Sequence, residues 1–370
     1  MIRASFMSAP EVPVPTLIEK SVLIETDAVR ILDRRVFPLQ KTWVTCRTYE
    51  EVATAIEEMV TQSSGPLFAA AGGMVLAARS VDTLSGVNKR REAFKAAADR
   101  LLATRPTNNG IREAVGAIRQ AAEPLLAANE QLSEVVEWVA QEVGQRYLGR
   151  SRLLGENAGA LLEDGDTILT HCWAESYLTE TLAFAIRAGK QLNVVCTETR
   201  PYLQGARLTA ESLAEMGIPT SVISDGMPAE LMSRGAITKV VTAADRVTMD
   251  GHVINKVGTL QIAIAAHAFG IPYVALVQAP DAQAATVQDV PMEYRDGNEV
   301  LYLNGQRTAS NRVTGIYPAF DITPPRFISV IATDRGRYSP SDLSSYYTTK
   351  GEPVHDTVAT SPESRSALIY

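Results

Sequence analysis

Five polar residues that could act on a ligand follow short apolar stretches of the sequence: Cys172, Arg200, Gln204, Asp225 and Asp245. A thiol and a carboxyl group can transfer protons, and arginine and glutamine side chains can bind oxygen atoms of a ligand. Parallel sheets bind ligands outside the carboxyl ends of their strands. If the apolar stretches are neighbouring strands of such a sheet, the five side chains meet there, and we predict a functional site at that edge.

The elements that must position these residues alternate along the chain. Four apolar runs are typical of buried parallel strands, at residues 167–170, 192–195, 220–223 and 239–242. Amphipathic segments of helix length lie between them, among them residues 177–188 and 206–215. This alternation predicts an α/β fold with a doubly wound parallel sheet.

Composition and charge narrow the class of protein. The 370 residues suffice for two domains, and the net charge of −7 argues against a nucleic-acid-binding surface. The three cysteines lack metal-ligand spacing, which indicates a reducing compartment rather than a disulfide framework. No apolar run reaches the roughly 20 residues of a membrane helix, and the first 15 residues lack a signal-peptide core. We therefore expect a cytoplasmic protein without a nucleic-acid or membrane partner.

The sequence divides into four segments. Residues 1–15 are proline-rich and predict a flexible leader, and residues 16–150 predict a mostly helical domain with a short β-hairpin. Residues 151–338 predict the sheet domain that carries the candidate site. Residues 339–370 are rich in Ser, Thr and Pro, which predicts an extended tail.

Three local predictions concern breaks in regular structure. The pair Gly72 and Gly73 precedes an apolar helix, so that either a ligand or a neighbouring helix can approach the backbone closely. Pro124 is predicted to break a helical stretch over residues 111–143. Residues 318–325 are predicted to form a rigid turn before a helix over residues 326–332.

The two candidate proton carriers each have a structural alternative. Cys172 follows a buried strand and His171. Near basic groups its thiol can have a lowered pKa and exchange protons, whereas most free cysteines are small core residues. Asp245 should lie at the carboxyl edge of a strand, where it can act as an acid, cap a helix or pair with Arg246. The residues alone leave both alternatives open.

Four cations could bind an anionic group of a ligand: Arg105, Arg200, Arg207 and Lys256. Arginine binds phosphate through two parallel hydrogen bonds, and Asn255 with the amides after it could open a helix whose N-terminus suits an anion. The alternative is charge balance at the surface. Gln204 either binds a sugar hydroxyl or caps the next helix. No cluster has metal-ligand spacing and no glycine-rich signature indicates a dinucleotide, so we predict neither metal nor organic cofactor.

Taken together, these residues resemble the motifs of one superfamily. It joins methylthioribose-1-phosphate isomerase, ribose-1,5-bisphosphate isomerase and the regulatory subunits of translation initiation factor 2B. The resemblance extends from about Val22 to Tyr338. The matching motifs occur in the family's order: Arg105-Pro-Thr, Thr170-His-Cys172, Glu198-Thr-Arg-Pro, Gln204-Gly-Ala-Arg207, Ala244-Asp-Arg246, Asn255-Lys-Val-Gly258 and Pro318-Ala-Phe-Asp-Ile-Thr-Pro-Pro325.

The resemblance implies a fold and a catalytic pair. The family has a helical N-terminal domain and a Rossmann-like C-terminal domain with a parallel sheet. Its members form homodimers through the C-terminal domain. Here the apolar segment 263–266 could pack across the two-fold axis or only cover its own sheet. In the family's isomerases, a cysteine and an aspartate carry the chemistry, and they correspond to Cys172 and Asp245. The regulatory subunits typically lack that cysteine.

On this resemblance we expect an aldose–ketose isomerase for a ribose-1-phosphate-like sugar. Asp245 would protonate the ring oxygen and Cys172 would move the C2 proton to C1, or a hydride shift would replace that transfer. The expected substrate-binding residues are Gly72, Gly73, Arg105, Arg200, Gln204, Arg207, Asn255 and Lys256. The alternatives are a non-catalytic sensor of sugar phosphates or nucleotides, like the initiation-factor subunits, and an isomerase of a different sugar.

Two positions depart from the family pattern. The sugar-phosphate isomerases carry Arg-Gly-Ala at the glycine turn, where this chain has Ala71-Gly72-Gly73. The methylthioribose enzymes have Asn-Ala-Gly after the cysteine, where this chain has Trp173-Ala174-Glu175. Because the missing arginine helps those enzymes to bind phosphate, we expect a reduced phosphate pocket.

Overall fold

The computed structural model describes residues 10–106 and 108–348. These residues form two compact units: an N-terminal unit of residues 16–106 and 108–149, and a C-terminal unit of residues 10–15 and 150–348. Most of the predicted leader and tail, residues 1–9 and 349–370, lies outside the described residues. Within the described part, none of the helices combines the length and apolarity that crossing a membrane requires.

The N-terminal unit packs helices against a small antiparallel sheet in which β2 lies between β1 and β3. Its elements are α1 (Thr16–Glu19), β1 (Val22–Ile24), β2 (Val29–Leu32), β3 (Trp43–Cys46), α2 (Tyr49–Glu57), α3 (Gly65–Val81), α4 (Val87–Thr104), α5 (Asn109–Ala128) and the first part of α6 (Ser133–Gly159). Thr48 and Glu51 form a capping box at the start of α2.

Two predictions for this unit are wrong. The glycine pair Gly72 and Gly73 lies inside α3 rather than before a helix. Pro124 lies inside α5, and the helical break comes at Asn129, whose left-handed φ of 59° ends that helix. Pro124 is tolerated because it is exposed, so water can bind the carbonyl of Gln120 that loses its helical partner.

The C-terminal unit alternates strands and helices. Its strands are β4 (Thr167–Thr170), β5 (Asn193–Thr197), β6 (Thr220–Ile223), β7 (Lys239–Ala243), β8 (Arg246–Val247), β9 (Val253–Lys256), β10 (Tyr273–Leu276), β11 (Tyr294–Arg295), β12 (Tyr302–Leu303), β13 (Gln306–Arg307), β14 (Tyr317–Pro318), β15 (Phe320–Thr323), β16 (Val330–Thr333) and β17 (Gly336–Tyr338). Its helices after α6 are α7 (Glu175–Arg187), α8 (Ala210–Glu215), α9 (Pro228–Ser233), α10 (Thr259–Ala268), α11 (Asn298–Leu301) and α12 (Ser345–Thr348), and shorter helical turns lie at Gly205–Thr209, Val287–Asp289 and Pro325–Phe327.

Seven strands form the central sheet in the order β17-β16-β10-β7-β4-β5-β6. All neighbours are parallel except β16 and β17. One face is covered by apolar side chains such as Leu178 and Leu182 of α7, and the other by Ile262 and Ala266 of α10. The prediction of an α/β fold with a parallel sheet and a helical N-terminal part is confirmed.

The predicted helix over residues 326–332 is wrong. A single helical turn at Pro325–Phe327 leads instead into β16, whose Ile331 and Ala332 are fully buried beside β10. A short apolar run is compatible with a strand and with a helix. Here the run forms a strand because it pairs with the edge of β10. In the described part of the predicted tail, Leu343 and Tyr346 are buried, so residues 339–348 pack onto the C-terminal unit.

The helix that we considered for the dimer interface mainly covers its own sheet. Ala263 and Ala266 of α10 are fully buried in that contact. On the outer face, Ile264 is 46% exposed and Phe269 is 47% exposed. The homodimer stays a prediction.

Candidate active site

The catalytic candidates follow two neighbouring parallel strands. β4 pairs directly with β7, and Cys172 follows β4 as Asp245 follows β7. The charge of Asp245 raises the pKa of the Cys172 thiol, which places the two groups in one electrostatic environment. The chain thus brings a thiol and a carboxyl group to the same edge of the sheet, as the alternation of strands and helices predicts.

The backbone at Cys172 is held in an uncommon conformation. Its φ is 65°, a left-handed value that costs a non-glycine residue about 1–3 kcal/mol. Two hydrogen bonds fix it: the Cys172 amide donates to Thr199 Oγ1 at 3.0 Å, and Thr209 Oγ1 donates to the Cys172 carbonyl at 2.5 Å. The thiol is therefore aimed by the surrounding loops rather than by a regular element.

The thiol of Cys172 is protonated near neutral pH. Burial raises its pKa to about 11, and the nearby charge of Lys256 opposes that rise only in part. The lowered pKa that basic neighbours can give a thiol is therefore not found at Cys172. A single cation does not offset the loss of water around the sulfur.

Asp245 makes no polar contact with the described residues. Within residues 10–106 and 108–348, its carboxylate has no hydrogen bond or ion pair, since Arg246 pairs with Asp281 at 3.3 Å. The residue precedes the short strand β8, so it caps no helix. Both structural alternatives for Asp245 are thus unrealised in the described part of the chain.

The surroundings of Asp245 favour its acid form. Burial raises the pKa of the carboxyl group, the charges of Glu293 and Glu175 raise it further, and Lys256 and Arg246 act in the opposite direction. The residue is nevertheless solvent-exposed, so the surrounding protein atoms replace only part of its hydration. The direction of this shift suits a proton donor.

Lys256 is a buried cation at the end of β9. It is 8% exposed, and its Nζ lies 4.7 Å from the centre of the ring of Phe320, the residue opposite it in β15. Its ammonium forms no ion pair with any described residue. A buried charge that forms no ion pair costs several kcal/mol, so this position favours a bound anion.

Asn255 precedes Lys256 and is also buried. Its Nδ2 donates to Thr259 Oγ1 at 3.0 Å, which ties the strand end to the start of α10. The predicted anion site at the N-terminus of α10 is already filled, because Asp321 Oδ2 accepts hydrogen bonds from the amides of Gly258 and Leu260 at 2.7 and 3.0 Å. The cap of this helix thus comes from the chain itself.

Asp321 makes the stability of the protein depend on pH. Burial raises the pKa of its carboxyl group from 3.8 to about 6, so its stabilising contribution is complete below pH 3.8 and is lost as pH rises through 6. Asp321→Asn keeps the acceptor oxygen and cannot ionise. We expect the difference in unfolding free energy, variant minus wild type, to increase by about 2 kcal/mol from pH 4 to pH 7. Urea titrations at the two pH values measure it, and an equal difference at both would contradict the assignment.

Gln204 offers an acceptor with no protein partner. The residue is 6% exposed, and its Oε1 is buried without a hydrogen bond from any described residue. Its side chain does not cap the helical turn that follows. The next residue must be glycine, because a Cβ on Gly205 would lie 1.8 Å from the Thr197 carbonyl oxygen at the end of β5. This arrangement favours the ligand-binding interpretation of Gln204.

The two arginines near Gln204 are occupied by the backbone. Arg200 Nη2 donates to the carbonyls of Val300 and Tyr302, each at 3.0 Å. Arg207 Nη2 donates to the Tyr202 carbonyl at 2.7 Å, and burial lowers the pKa of Arg207. These contacts fix loops beside the candidate site, and phosphate binding by either arginine stays a prediction.

The remaining predicted ligand residues lie in the N-terminal unit. Arg105 ends α4 and donates to the Ile56 carbonyl at 3.3 Å. Inside α3, a Cβ on Gly72 would lie 2.9 Å from a methyl group of Val29, and one on Gly73 would lie 3.1 Å from Leu101. Tight packing therefore accounts for both glycines. A role of the three residues in substrate binding stays a prediction.

Several residues around Cys172 were not selected from the sequence. Both ring nitrogens of His171 are hydrogen-bonded: Nδ1 lies 2.5 Å from Thr197 Oγ1 and Nε2 lies 2.9 Å from the Val257 carbonyl oxygen. Glu175 is 5% exposed at a φ of 47°, and its Oε1 accepts a hydrogen bond of 3.0 Å from the Trp173 indole. In the sequence, only the departure of Trp173-Ala174-Glu175 from the family pattern pointed to the pair Trp173 and Glu175.

Comparison with known proteins identifies a family and related enzymes. The Initiation factor 2 subunit family matches residues 62–340. Methylthioribose-1-phosphate isomerases of Thermotoga neapolitana and Thermotoga maritima are each 36% identical over 324 residues, which cover 85% of this chain and 93% of the relative. These relatives confirm the prediction that the chain is an isomerase.

Solved structures extend the similarity to the fold and complete the assignment to a family. The 5-methylthioribose 1-phosphate isomerase of Pyrococcus horikoshii has a TM-score of 0.82 at 27% identity, covering 91% of this chain and 98% of that chain. Subunit delta of the translation initiation factor eIF-2B from A. fulgidus has a TM-score of 0.75 at 30% identity, covering 86% and 96%. With its match over residues 62–340, the chain belongs to the Initiation factor 2 subunit family.

Proposed function

We propose that this isomerase converts a pentose 1-phosphate of the methylthioribose 1-phosphate type into the corresponding ketose phosphate. The observation that carries the proposal is the grouping of three side chains at one edge of the sheet. Cys172 and Asp245 are two proton carriers on neighbouring loops, and Lys256 is a buried cation without an ion pair among the described residues. The names of the similar isomerases supply the class of substrate.

Asp245 supplies the first proton. A phosphate on the anomeric oxygen prevents simple ring opening, so the ring oxygen must be protonated as the C1–O4 bond breaks. The raised pKa of Asp245 keeps its carboxyl group protonated to higher pH than an ordinary aspartate. Because no described residue forms a hydrogen bond or ion pair with this carboxyl group, the acid proton is available to the sugar.

Cys172 moves the second proton. The thiolate, which is the minor form of Cys172 near neutral pH, removes the proton from C2, and the electrons of the C2–H bond form a C1=C2 double bond. Cys172 then returns that proton to C1, while the C2 hydroxyl gives its own proton to the Asp245 carboxylate and becomes the ketone. Both residues end in their starting states, and the sugar has lost and gained no atoms.

The direct test of this function uses the unmodified chain. We expect ribose 1-phosphate or a 5-substituted relative, followed by carbon-13 NMR, to lose its anomeric signal and gain the carbonyl signal of a ketose. Pentose 5-phosphates and free pentoses serve as comparisons, because they lack the 1-phosphate that Lys256 would bind. If the chain converts no pentose 1-phosphate at all, the proposed function is wrong.

Lys256 is expected to carry most of the affinity for the phosphate. A hydrogen bond to a charged group is worth about 1.5–3 kcal/mol, so Lys256→Met should raise KM for the sugar 1-phosphate by roughly 10-fold or more. The variant should not lose stability, because methionine fills the same space without burying a charge. Steady-state kinetics and thermal unfolding measure the two effects.

Lys239 provides a matched control for this variant. Its side chain is 11% exposed, and its Nζ lies 2.9 Å from an Asp166 carboxylate oxygen. Lys239→Met should therefore lower stability and leave KM unchanged, because it leaves a buried carboxylate unpaired. Equal KM values for Lys256→Met and wild type would show that the phosphate binds elsewhere. Inorganic phosphate that inhibits wild type with a Ki near the substrate KM would argue against the expected reduction of the phosphate pocket.

A further inference from the structure

Tyr317 is a buried tyrosine whose hydroxyl is not used by the described residues. It is 3% exposed, and its Oη is buried without a hydrogen bond to any of them. An unsatisfied buried hydroxyl costs about 1–3 kcal/mol, which is why buried tyrosines usually find a partner. The hydroxyl is therefore available to a ligand that reaches it.

The position of Tyr317 places it at the carboxyl edge of the sheet. It opens β14, where it lies opposite Arg295 of β11. The guanidinium carbon of Arg295 lies 5.6 Å from the centre of the Tyr202 ring, so the two-stranded sheet of β11 and β14 packs on the loop between β5 and Gln204. Burial is the main cause that raises the pKa of Tyr317 to about 12. Cys172 is among the groups whose charge adds to this rise.

We propose that the Tyr317 hydroxyl donates a hydrogen bond to the oxygen on C2 of the sugar. This inference rests on the proposed function. C2 is the carbon from which Cys172 removes a proton, and its oxygen changes from a hydroxyl to a carbonyl during the reaction. A donor aimed at that oxygen stabilises the negative charge that develops on it in the transition state.

Tyr317 acts in this scheme as a fixed donor and keeps its own proton. With a pKa of about 12, the phenol stays neutral throughout the pH range in which the enzyme can be assayed. The C2 hydroxyl proton still passes to Asp245, so the transfer of protons between sugar and protein remains balanced. Tyr317 therefore adds transition-state stabilisation without adding a titrating step.

Removal of the hydroxyl alone tests this role. We expect Tyr317→Phe to lower kcat by about 100-fold, the lower end of the loss that removal of one such donor typically causes, because the ring still excludes water. KM should change less than kcat. The loss should be the same at pH 7 and pH 9, because the phenol is neutral at both. The melting temperature should stay equal or rise, because an unpaired hydroxyl is removed.

Tyr273 is the matched control. It is 1% exposed and its hydroxyl lies 2.8 Å from Thr242 Oγ1 within the sheet. Tyr273→Phe should lower the melting temperature and leave kcat at the wild-type value. A purely structural role for Tyr317 predicts this same pattern for Tyr317→Phe.

Three results would overturn the proposal, and they have different meanings. If Tyr317→Phe retains the wild-type kcat, or if it behaves like Tyr273→Phe, Tyr317 does not touch the reacting sugar while the proposed function stands. If the loss in kcat grows between pH 7 and pH 9, Tyr317 transfers a proton and is not a fixed donor. If wild type converts no pentose 1-phosphate, the proposed function and the role of Tyr317 fall together.

Discussion

We expect Cys172→Ser to lower kcat by about 100- to 10,000-fold without unfolding the protein. An alcohol is a much weaker acid than a thiol, so serine cannot carry the proton between C2 and C1 near neutral pH. Serine fits the site, because the left-handed backbone at Cys172 is fixed by hydrogen bonds from neighbouring loops and not by the sulfur. Turnover of a pentose 1-phosphate and thermal unfolding should be measured on the same preparation.

Cys196 separates a catalytic loss from a general loss of packing. It is fully buried in β5, and burial raises its pKa to about 12. Cys196→Ala should lower the unfolding free energy by roughly 1–2 kcal/mol and leave kcat unchanged, since only a small cavity forms. A Cys172→Ser enzyme with near-normal turnover would remove Cys172 from the mechanism.

The fate of a deuterium label on C2 then identifies the route. Transfer through Cys172 allows the label to exchange with solvent from the sulfur, so part of it should be missing from C1 of the product. A hydride shift would retain all of it at C1 and would leave no transfer step for the thiol. The two routes thus differ in product labelling as well as in the effect of Cys172→Ser.

Much of the fold could be predicted because its strands are short apolar runs with helix-length segments between them. β4 and β6 were predicted with their observed ends, and β5 and β7 within two residues of theirs. Buried parallel strands are rich in valine and isoleucine on both faces, which gives a strong local signal. Segments whose structure depends on distant partners were harder. β16 is a strand because β10 offers it an edge, and nothing within residues 326–332 shows that edge.

The same distinction between local signals and distant partners applies to the candidate site. Cys172, Gln204 and Asp245 follow sheet strands, so the sequence could place them at one edge. Tyr317 reaches that edge through two-residue strands, which have no periodicity to recognise. The raised thiol pKa could not be predicted, because a sequence shows a nearby cation such as Lys256 but not the loss of water around the sulfur.

Asp245→Asn should lower kcat about as strongly as Cys172→Ser while keeping substrate affinity. The amide has the shape of the carboxylic acid but cannot protonate the ring oxygen. Since the Asp245 carboxylate makes no hydrogen bond or ion pair with the described residues, the substitution breaks no protein contact. Asp250→Asn is the matched control, because that carboxylate binds Thr248 and His252 on the following turn. It should keep the wild-type kcat.

The pH dependence of kcat/KM distinguishes an acid at Asp245 from a binding residue. The reactive form needs a protonated Asp245 and an ionised Cys172. Its fraction rises with pH up to the raised pKa of Asp245 and is then constant up to the Cys172 pKa of about 11. Without the acid, the residual rate of Asp245→Asn should rise by about tenfold per pH unit across that plateau, because only the thiolate fraction then changes. A plateau retained in the variant, with binding lost in calorimetry, would make Asp245 a substrate-binding residue.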